Sequence, residues 1–310
     1  MTFVIGVDGG GSVTRAVIVD EHGAEVARAE APGAAADAVS RAVGAAAAIS
    51  GRALPASVLW AGLAGAGREA ARRAVEQELG RRGLAERVCV GTDGEAAFHA
   101  AFPEGPGILL IAGTGSIAWA RDAAGDVVRV GGWGQLLGDE GSGYAIGLGA
   151  LRAVVRAEDG RAGATAMRAG VLRELELESP AALTSWAATA SKADVARLVP
   201  VVTRAADGGD PAAADLIARA VAGLEAHVAA VLGRVGPAPE DPELVLWGGL
   251  IGERGPLRTR LCDRLVSHPV VLRSGDPDPA LGAAALALAA LPKRQSRPAP
   301  LGHFGNEPAP

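Results

Sequence analysis

Between Thr92 and Gly143 the sequence gathers glycines, hydroxyls and carboxylates in a pattern that a hydrophobic core does not require. It reads Thr92-Asp93-Gly94-Glu95, then an apolar run from Ile108 to Ala112, then Gly113-Thr114-Gly115-Ser116. Gly131-Gly132-Trp133-Gly134 and Gly138-Asp139-Glu140-Gly141-Ser142-Gly143 close the stretch. Glycine lets backbone N–H groups come close to a ligand, at an entropic cost in the folded chain. Beside hydroxyls and the carboxylates of Asp93, Asp139 and Glu140, such turns suit phosphate handling with an acid or base nearby.

A second cluster of the same kind opens the chain, where Asp8-Gly9-Gly10-Gly11-Ser12 follows the β-branched run Phe3 to Val7. A plain turn does not need three successive glycines. Asp8 therefore reads as an acid that holds hydrated Mg2+, an ion that prefers oxygen ligands and keeps its waters. Two familiar phosphate motifs are excluded. No G-x-x-x-x-G-K-[ST] occurs, and Lys192 and Lys293 are the only lysines; a strand follows Gly9-Gly10-Gly11 where a dinucleotide loop would open a helix. A G-x-S-x-G nucleophile elbow is also absent. Phosphates must then be held by turn amides and hydroxyls, with magnesium covering the charge that lysine does not.

Asp93 has two readings that local sequence does not separate. It is either the N-cap of a helix running from Gly94 to Ala101 or a cleft carboxylate that accepts a hydroxyl proton. Asp139 and Glu140 lie in a glycine-flanked loop, where solvated acids are the ordinary expectation. Trp133 between glycines calls for cover by a sugar or a neighbouring helix. Cys89 and Cys262 lack ligand spacing and read as small buried hydrophobes. His99 reads as a surface or core residue.

The elements that must position these groups come in a repeated plan. Phe3 to Val7, Thr14 to Val19 and Ala24 to Ala29 form a three-stranded meander, followed by a helix from Ala34 to Ser50. Ser57 to Leu63 is a buried strand, Arg68 to Arg82 an amphipathic helix, and Val88 to Val90 a strand that delivers Asp93 to its C-terminal edge. Ile108 to Ala112, Ile117 to Arg121 and Val127 to Val130 repeat the meander with a Gly/hydroxyl first turn, which implies two related α/β halves facing each other. From Ser142 the pattern is helical, with caps expected at Ser179, Ser191 and Asp210. Glu243 to Trp247 returns to strand, Arg254 to Val266 is helix, Val270 to Leu272 strand, and Pro279 to Leu291 the closing helix. The segment 292–310 reads as a disordered tail.

The 310 residues exceed one typical core, so two domains are expected. Aromatics are only 3%, and the core must be built from Ala, Val and Leu. A formal charge of −5 without a basic cluster argues against nucleic acid as partner. No secretory signal is evident, and the longest apolar run, Ala280 to Leu291, falls short of the roughly 20 residues of a membrane helix. A reduced cytoplasm fits the cysteine usage.

These motifs, in this order, resemble the N-acetylglucosamine kinase family, which groups with the BadF/BadG/BcrA/BcrD ATPases in the actin/Hsp70/hexokinase superfamily. The resemblance runs from about Phe3 to Leu291. It rests on Asp8 to Ser12 as first phosphate motif, Gly113 to Ser116 as second, and Leu246-Trp247-Gly248-Gly249-Leu250 as adenosine motif. Gly132-Trp133-Gly134 with Gly138 to Ser142 is the most specific piece. It implies an α/β fold of two RNase H-like (actin-like ATPase) domains around an interdomain cleft for ATP and sugar. The first would span 1–106 with the closing helix 280–291, and the second 107–279 with a helical insertion.

The implied activity is ATP- and Mg2+-dependent phosphorylation of an amino sugar at its 6-hydroxyl, N-acetylglucosamine to N-acetylglucosamine 6-phosphate. Asp93 is then similar to the catalytic base. Gly9, Gly10, Gly11, Ser12, Thr14, Gly113, Thr114, Gly115, Gly248 and Gly249 would hold ATP, and Asp8 the metal. Asp93, Ser116, Ile117, Gly132, Trp133, Gly134 and Asp139 would face the sugar, and a homodimer is implied. Two departures bear on the acceptor: Ala34-Ala35-Ala36 and Ile117 stand where relatives offer asparagines, which leaves glucosamine and N-acetylmuramic acid open. Two rivals of other classes are an ATPase activator of a dehydratase or reductase, and a non-catalytic sugar sensor.

Overall fold

The computed structural model of the chain describes residues 2–10, 12–33, 35–122, 124–236 and 240–292. The roles expected for Gly11 and Ala34, and the expected tail from 293 to 310, lie outside the described residues. The first half runs β1 (Phe3–Gly9), β2 (Val13–Asp20), β3 (Glu25–Pro32), α1 (Ala36–Ser50), β4 (Ala56–Leu63), α2 (Glu69–Gly80), β5 (Ala85–Gly91) and α3 (Asp93–Ala101). The second opens with β6 (Gly107–Ala112), β7 (Ser116–Arg121), β8 (Val127–Gly131) and α4 (Gly143–Glu158). A helical stretch follows: α5 (Met167–Glu174), α6 (Leu183–Ala187), α7 (Lys192–Ala196), α8 (Val199–Asp207) and α9 (Pro211–Val235). The last described elements are β9 (Glu243–Trp247), α10 (Arg258–Leu265), β10 (Val271–Arg273) and α11 (Pro279–Ala289).

The expected repeat is present in the topology. One sheet has the order β3-β2-β1-β4-β5 and the other β8-β7-β6-β9-β10. In each, the first three strands pair antiparallel and the last two join in parallel. β1 is buried along its whole length, as a strand covered on both faces must be. Its alternate residues serve the two sides: Ile5 and Val7 join Val39 and Val43 of α1, while Val4 joins Ala280 and Ala283 of α11. The last helix thus returns to the first sheet. Ala97, Phe98 and Phe102 of the α3 region form one apolar cluster with Leu109 of β6 and Val245 of β9, which bridges the two halves.

The structure corrects four expectations. Thr92, not Asp93, caps α3: its hydroxyl accepts the Glu95 N–H at 3.1 Å. Ser191 forms a full capping box and Asp210 caps α9, but Ser179 makes no side-chain cap bond and precedes only a short 3-10 turn. The helix expected from Arg254 begins at Arg258, because Gly255 and Pro256 belong to a compact turn in which the Leu257 N–H donates to the Leu250 carbonyl at 2.9 Å. Finally, α9 is long and apolar enough to cross a membrane by length and composition. It buries Ile217, Val221, Leu224, Val228 and Val231 in the second core, at the three- and four-residue spacing of an amphipathic core helix, and leaves Asp215 and Arg219 outside.

Candidate active site

Each glycine turn sits at the C-terminal end of the first strand of its sheet. In the first, the Gly10 N–H donates to the Val13 carbonyl at 3.1 Å, and Ser12 is exposed. Thr14 is a correction: it is wholly buried and its hydroxyl donates to the Gly33 carbonyl at 2.7 Å. It ties β2 to the end of β3, so its hydroxyl is spent within the fold. Asp8 is opposite Arg15 in the β1–β2 pairing, with 3.6 Å between its Oδ2 and the Arg15 Nη1.

Burial raises Asp8 to about 6; Arg15 opposes this rise, and the nearby charges of Asp93 and Asp278 add to it. A carboxyl raised from 3.8 favours the folded state below that value and loses its contribution as the pH rises through about 6. Asp8→Asn is therefore expected to stabilise the ligand-free protein at pH 8 by about 1–3 kcal/mol. Thermal melts at pH 8 and pH 4 check this, with the gain absent at the lower pH.

In the second turn the Gly113 N–H donates to the Gly115 carbonyl at 2.9 Å, and Thr114 is exposed. α4 locks onto it, with the Gly143 N–H on the Gly113 carbonyl at 2.8 Å and the Tyr144 N–H on the Thr114 carbonyl at 3.2 Å. The segment Gly248-Gly249-Leu250 arrives beside it, where the Leu250 N–H donates to the Ala112 carbonyl at 3.1 Å. Gly113 to Ser116, Asp139 to Gly143 and Gly248 to Leu250 are thereby brought into one cluster from three distant parts of the sequence.

Within that cluster Ser116 is 2% exposed and its hydroxyl donates to the Glu140 carbonyl at 2.7 Å, so this side chain braces the loop and is not free for a sugar. The two neighbouring acids separate: Glu140 is exposed, whereas Asp139 is 3% exposed. Asp139 accepts from the Lys192 ammonium at 2.7 Å and from the Ser116 N–H at 3.4 Å. Ile117 packs against Gly132, and Gly134 opens a turn closed by the Gly138 N–H at 2.9 Å. Trp133 remains 67% exposed, with the Arg129 guanidinium over its ring, 5.6 Å from the centroid. His227 is buried beneath Gly131, its Nδ1 2.7 Å from the Gly223 carbonyl.

Asp93 is half-buried at the first residue of α3, at the seam between the halves. Gly94, next to it, lies against Trp119 and Ile111 of the second sheet. Oδ1 of Asp93 accepts the Gly94 N–H at 2.9 Å. Because Thr92 already caps the helix, the carboxylate of Asp93 is released from that duty. Sequence reasoning missed three residues here: Thr92, Lys192 and Asp278. Asp278 was readable as an Asp-Pro helix start; it caps α11 and pairs with Arg28 at 2.6 Å. His99 is half-buried, and burial beside Arg121 lowers it to about 4, so it is neutral. Cys89 and Cys262 are free and only half-buried, in β5 and α10.

The family pattern that matches this chain spans residues 5–287 and so takes in both glycine turns and the seam. The chain belongs to the BadF/BadG/BcrA/BcrD ATPase family. Membership of this ATPase family implies ATP use. The chain is similar to an N-acetyl-D-glucosamine kinase of Dictyostelium discoideum, 30% identical over 312 residues that cover 92% of this chain and 97% of that one. An N-acetylmuramic acid/N-acetylglucosamine kinase of Clostridium acetobutylicum is 32% identical over 197 residues, 63% of this chain and 64% of the relative's length. Among solved structures, a candidate N-acetylglucosamine kinase from Chromobacterium violaceum matches with a TM-score of 0.73 and 30% identity, over 93% of this chain and 99% of that one. A ROK family glucokinase from Streptomyces griseus, solved with glucose and AMPPNP, matches with a TM-score of 0.52 at 18% identity, over 92% and 99%, and shares the fold.

Proposed function

We propose that this BadF/BadG/BcrA/BcrD family member is an ATP-dependent kinase that phosphorylates an amino sugar at its 6-hydroxyl, with N-acetylglucosamine as the expected acceptor. The observation that carries the reading is Asp93: a carboxylate at the seam, not needed as a helix cap, close enough to Asp8 to raise its pKa. N-acetylmuramic acid is the second reading, favoured by the name of the Clostridium relative. The chain divides into 1–106 with 280–291, and 107–279, and the cleft between them takes both substrates.

ATP lies with its phosphates over Gly9, Gly10 and Ser12 on one side and Gly113, Thr114 and Gly115 on the other, with Gly248 and Gly249 at its nucleoside end. The sugar sits against Gly132, Trp133, Gly134, Ile117 and the Asp139 loop. Asp93 accepts the proton of the 6-hydroxyl as that oxygen bonds to the γ-phosphorus. The bond from phosphorus to the bridging oxygen breaks, and ADP leaves with the electron pair. Among the described residues no group of three His, Cys, Asp or Glu side chains could hold a metal ion. An ion at Asp8 would take its other oxygens from phosphates and water, the arrangement Mg2+ favours. Mg2+ held there would offset phosphate charge. Closure of the two halves would exclude water from the reacting groups. The enzyme is expected to be a cytoplasmic homodimer without nucleic-acid or membrane partners.

A coupled ADP-release assay with Mg-ATP tests this against N-acetylglucosamine, glucosamine, N-acetylmuramic acid and glucose. The expected result is turnover with an N-acetylated amino sugar well above that with glucose, abolished by EDTA. ATP hydrolysis that ignores every sugar would instead favour an activator, and no turnover at all a sensor.

A further inference from the structure

The phosphate turns carry no lysine of their own, yet the fold brings one to the second turn. Lys192 is the first residue of α7, 53 positions beyond Asp139 in sequence, and its ammonium lies 2.7 Å from the Asp139 Oδ2. The same carboxylate lies against Gly115, where an added Cβ would meet Oδ1 at 3.1 Å, and accepts the Ser116 N–H. Asp139 thus stands between the lysine and the turn. It does so from a left-handed backbone conformation, φ +62°, that aspartate tolerates better than most residues.

Two features separate this pair from an ordinary ion pair. The Asp139 side chain is 5% exposed while that of Lys192 is 37% exposed, so the anion is enclosed and the cation still reaches solvent. Lysine also sits at the wrong end of α7 for helix stability, because a helix N-terminus disfavours positive charge. Ser191 and Asp194 already cap that end in a capping box. An ammonium has three N–H donors, and one bond to Asp139 leaves two.

We propose that Lys192, oriented by Asp139, is an oxyanion-binding residue of the cleft, supplying from the helical insertion the cation that the glycine turns lack. This rests on the kinase reading for the turn's role but names a residue that reading does not include. The oxyanion comes either from a nucleotide phosphate over Gly113 to Ser116 or from an acidic group on the sugar.

The test uses the full chain with Lys192→Met and Lys192→Arg, with ATP affinity measured by equilibrium titration as well as by turnover. If the oxyanion is a phosphate, Lys192→Met weakens ATP binding about ten- to a hundredfold, the scale of a lost charge-assisted hydrogen bond, and Lys192→Arg recovers most of it. If it is on the sugar, ATP binding holds, and the KM for N-acetylmuramic acid rises by that factor while that for N-acetylglucosamine does not. A folded Lys192→Met protein that keeps its ATP affinity and both sugar KM values, whatever its melting temperature, overturns the proposal. Should Lys192→Met fail to fold, Lys192→Gln carries the same comparison. Failure of the kinase reading would show separately, as parent protein that phosphorylates no sugar, and the ATP titration would still decide the nucleotide arm.

Discussion

Replacing Asp93 with Asn is expected to lower kcat by about two to four orders of magnitude, the usual worth of a positioned general base, while ATP affinity stays near that of the parent. The substitution keeps the shape of the side chain and an oxygen that can accept the Gly94 N–H, now at 2.9 Å from Asp93 Oδ1. It leaves the start of α3 intact, because the cap is the Thr92 hydroxyl on the Glu95 N–H. What is lost is the capacity to take up a proton. A fall in kcat can then be read as chemistry and not as unfolding.

Two controls sharpen that reading. Thr92→Ala removes the cap and should cost about 1 kcal/mol of stability, with a much smaller loss of kcat than Asp93→Asn. Direct titration of ATP into the Asp93→Asn protein should give a Kd no weaker than the parent's, since the Asp93 charge raises the neighbouring Asp8 and opposes nearby anions. Turnover by Asp93→Asn within threefold of the parent would remove Asp93 from the role of base.

The parts of this site that could be read from sequence are those signalled locally. Gly113-Thr114-Gly115-Ser116 after an apolar run is a strand and its turn wherever the chain goes next, and Glu243–Trp247 before Gly248-Gly249 is legible for the same reason. The duplicated meander followed from the order of two such turns. What stayed hidden was set by pairing across the fold. Ser12 in the turn and Thr14 at the start of β2 are both hydroxyls close in sequence, and only the seating of Thr14 against Gly33 decides that it points inward. Thr92 and Asp93 are both good caps, and one residue of helix phase chooses between them. Asp139 looked like a solvated loop acid because its partner lies 53 residues away. The family resemblance supplied roles for these residues, but it could not say which side chains the fold would spend on its own bracing.

A substitution outside both glycine turns, Gly282→Val, should damage both stability and catalysis. Gly282 lies in α11 where it crosses α3, and a Cβ there would fall 2.0 Å from the Ala96 carbonyl oxygen and 2.7 Å from the Ala100 nitrogen. Both are backbone atoms of the helix that begins with Asp93, so no side chain can swing aside to make room. On its other side α11 is equally close to the sheet, since a Cβ on Gly6 of β1 would fall 2.1 Å from the Ala280 carbonyl oxygen. The helix cannot retreat, and relief must come from movement of α3. The expected loss is about 3 kcal/mol, the upper end of overpacking, which for a chain of 310 residues is a fall in melting temperature of roughly 4–6 °C. Below that temperature the folded protein should still show a reduced kcat, because a shift of about 1 Å in a reacting group costs on the order of a hundredfold. Gly282→Ala separates packing from helix propensity. Alanine in an open helix position would stabilise by about 1 kcal/mol, so a lower melting temperature for Gly282→Ala identifies the close crossing as the cause, and a higher one would show that α11 and α3 have room that these distances deny.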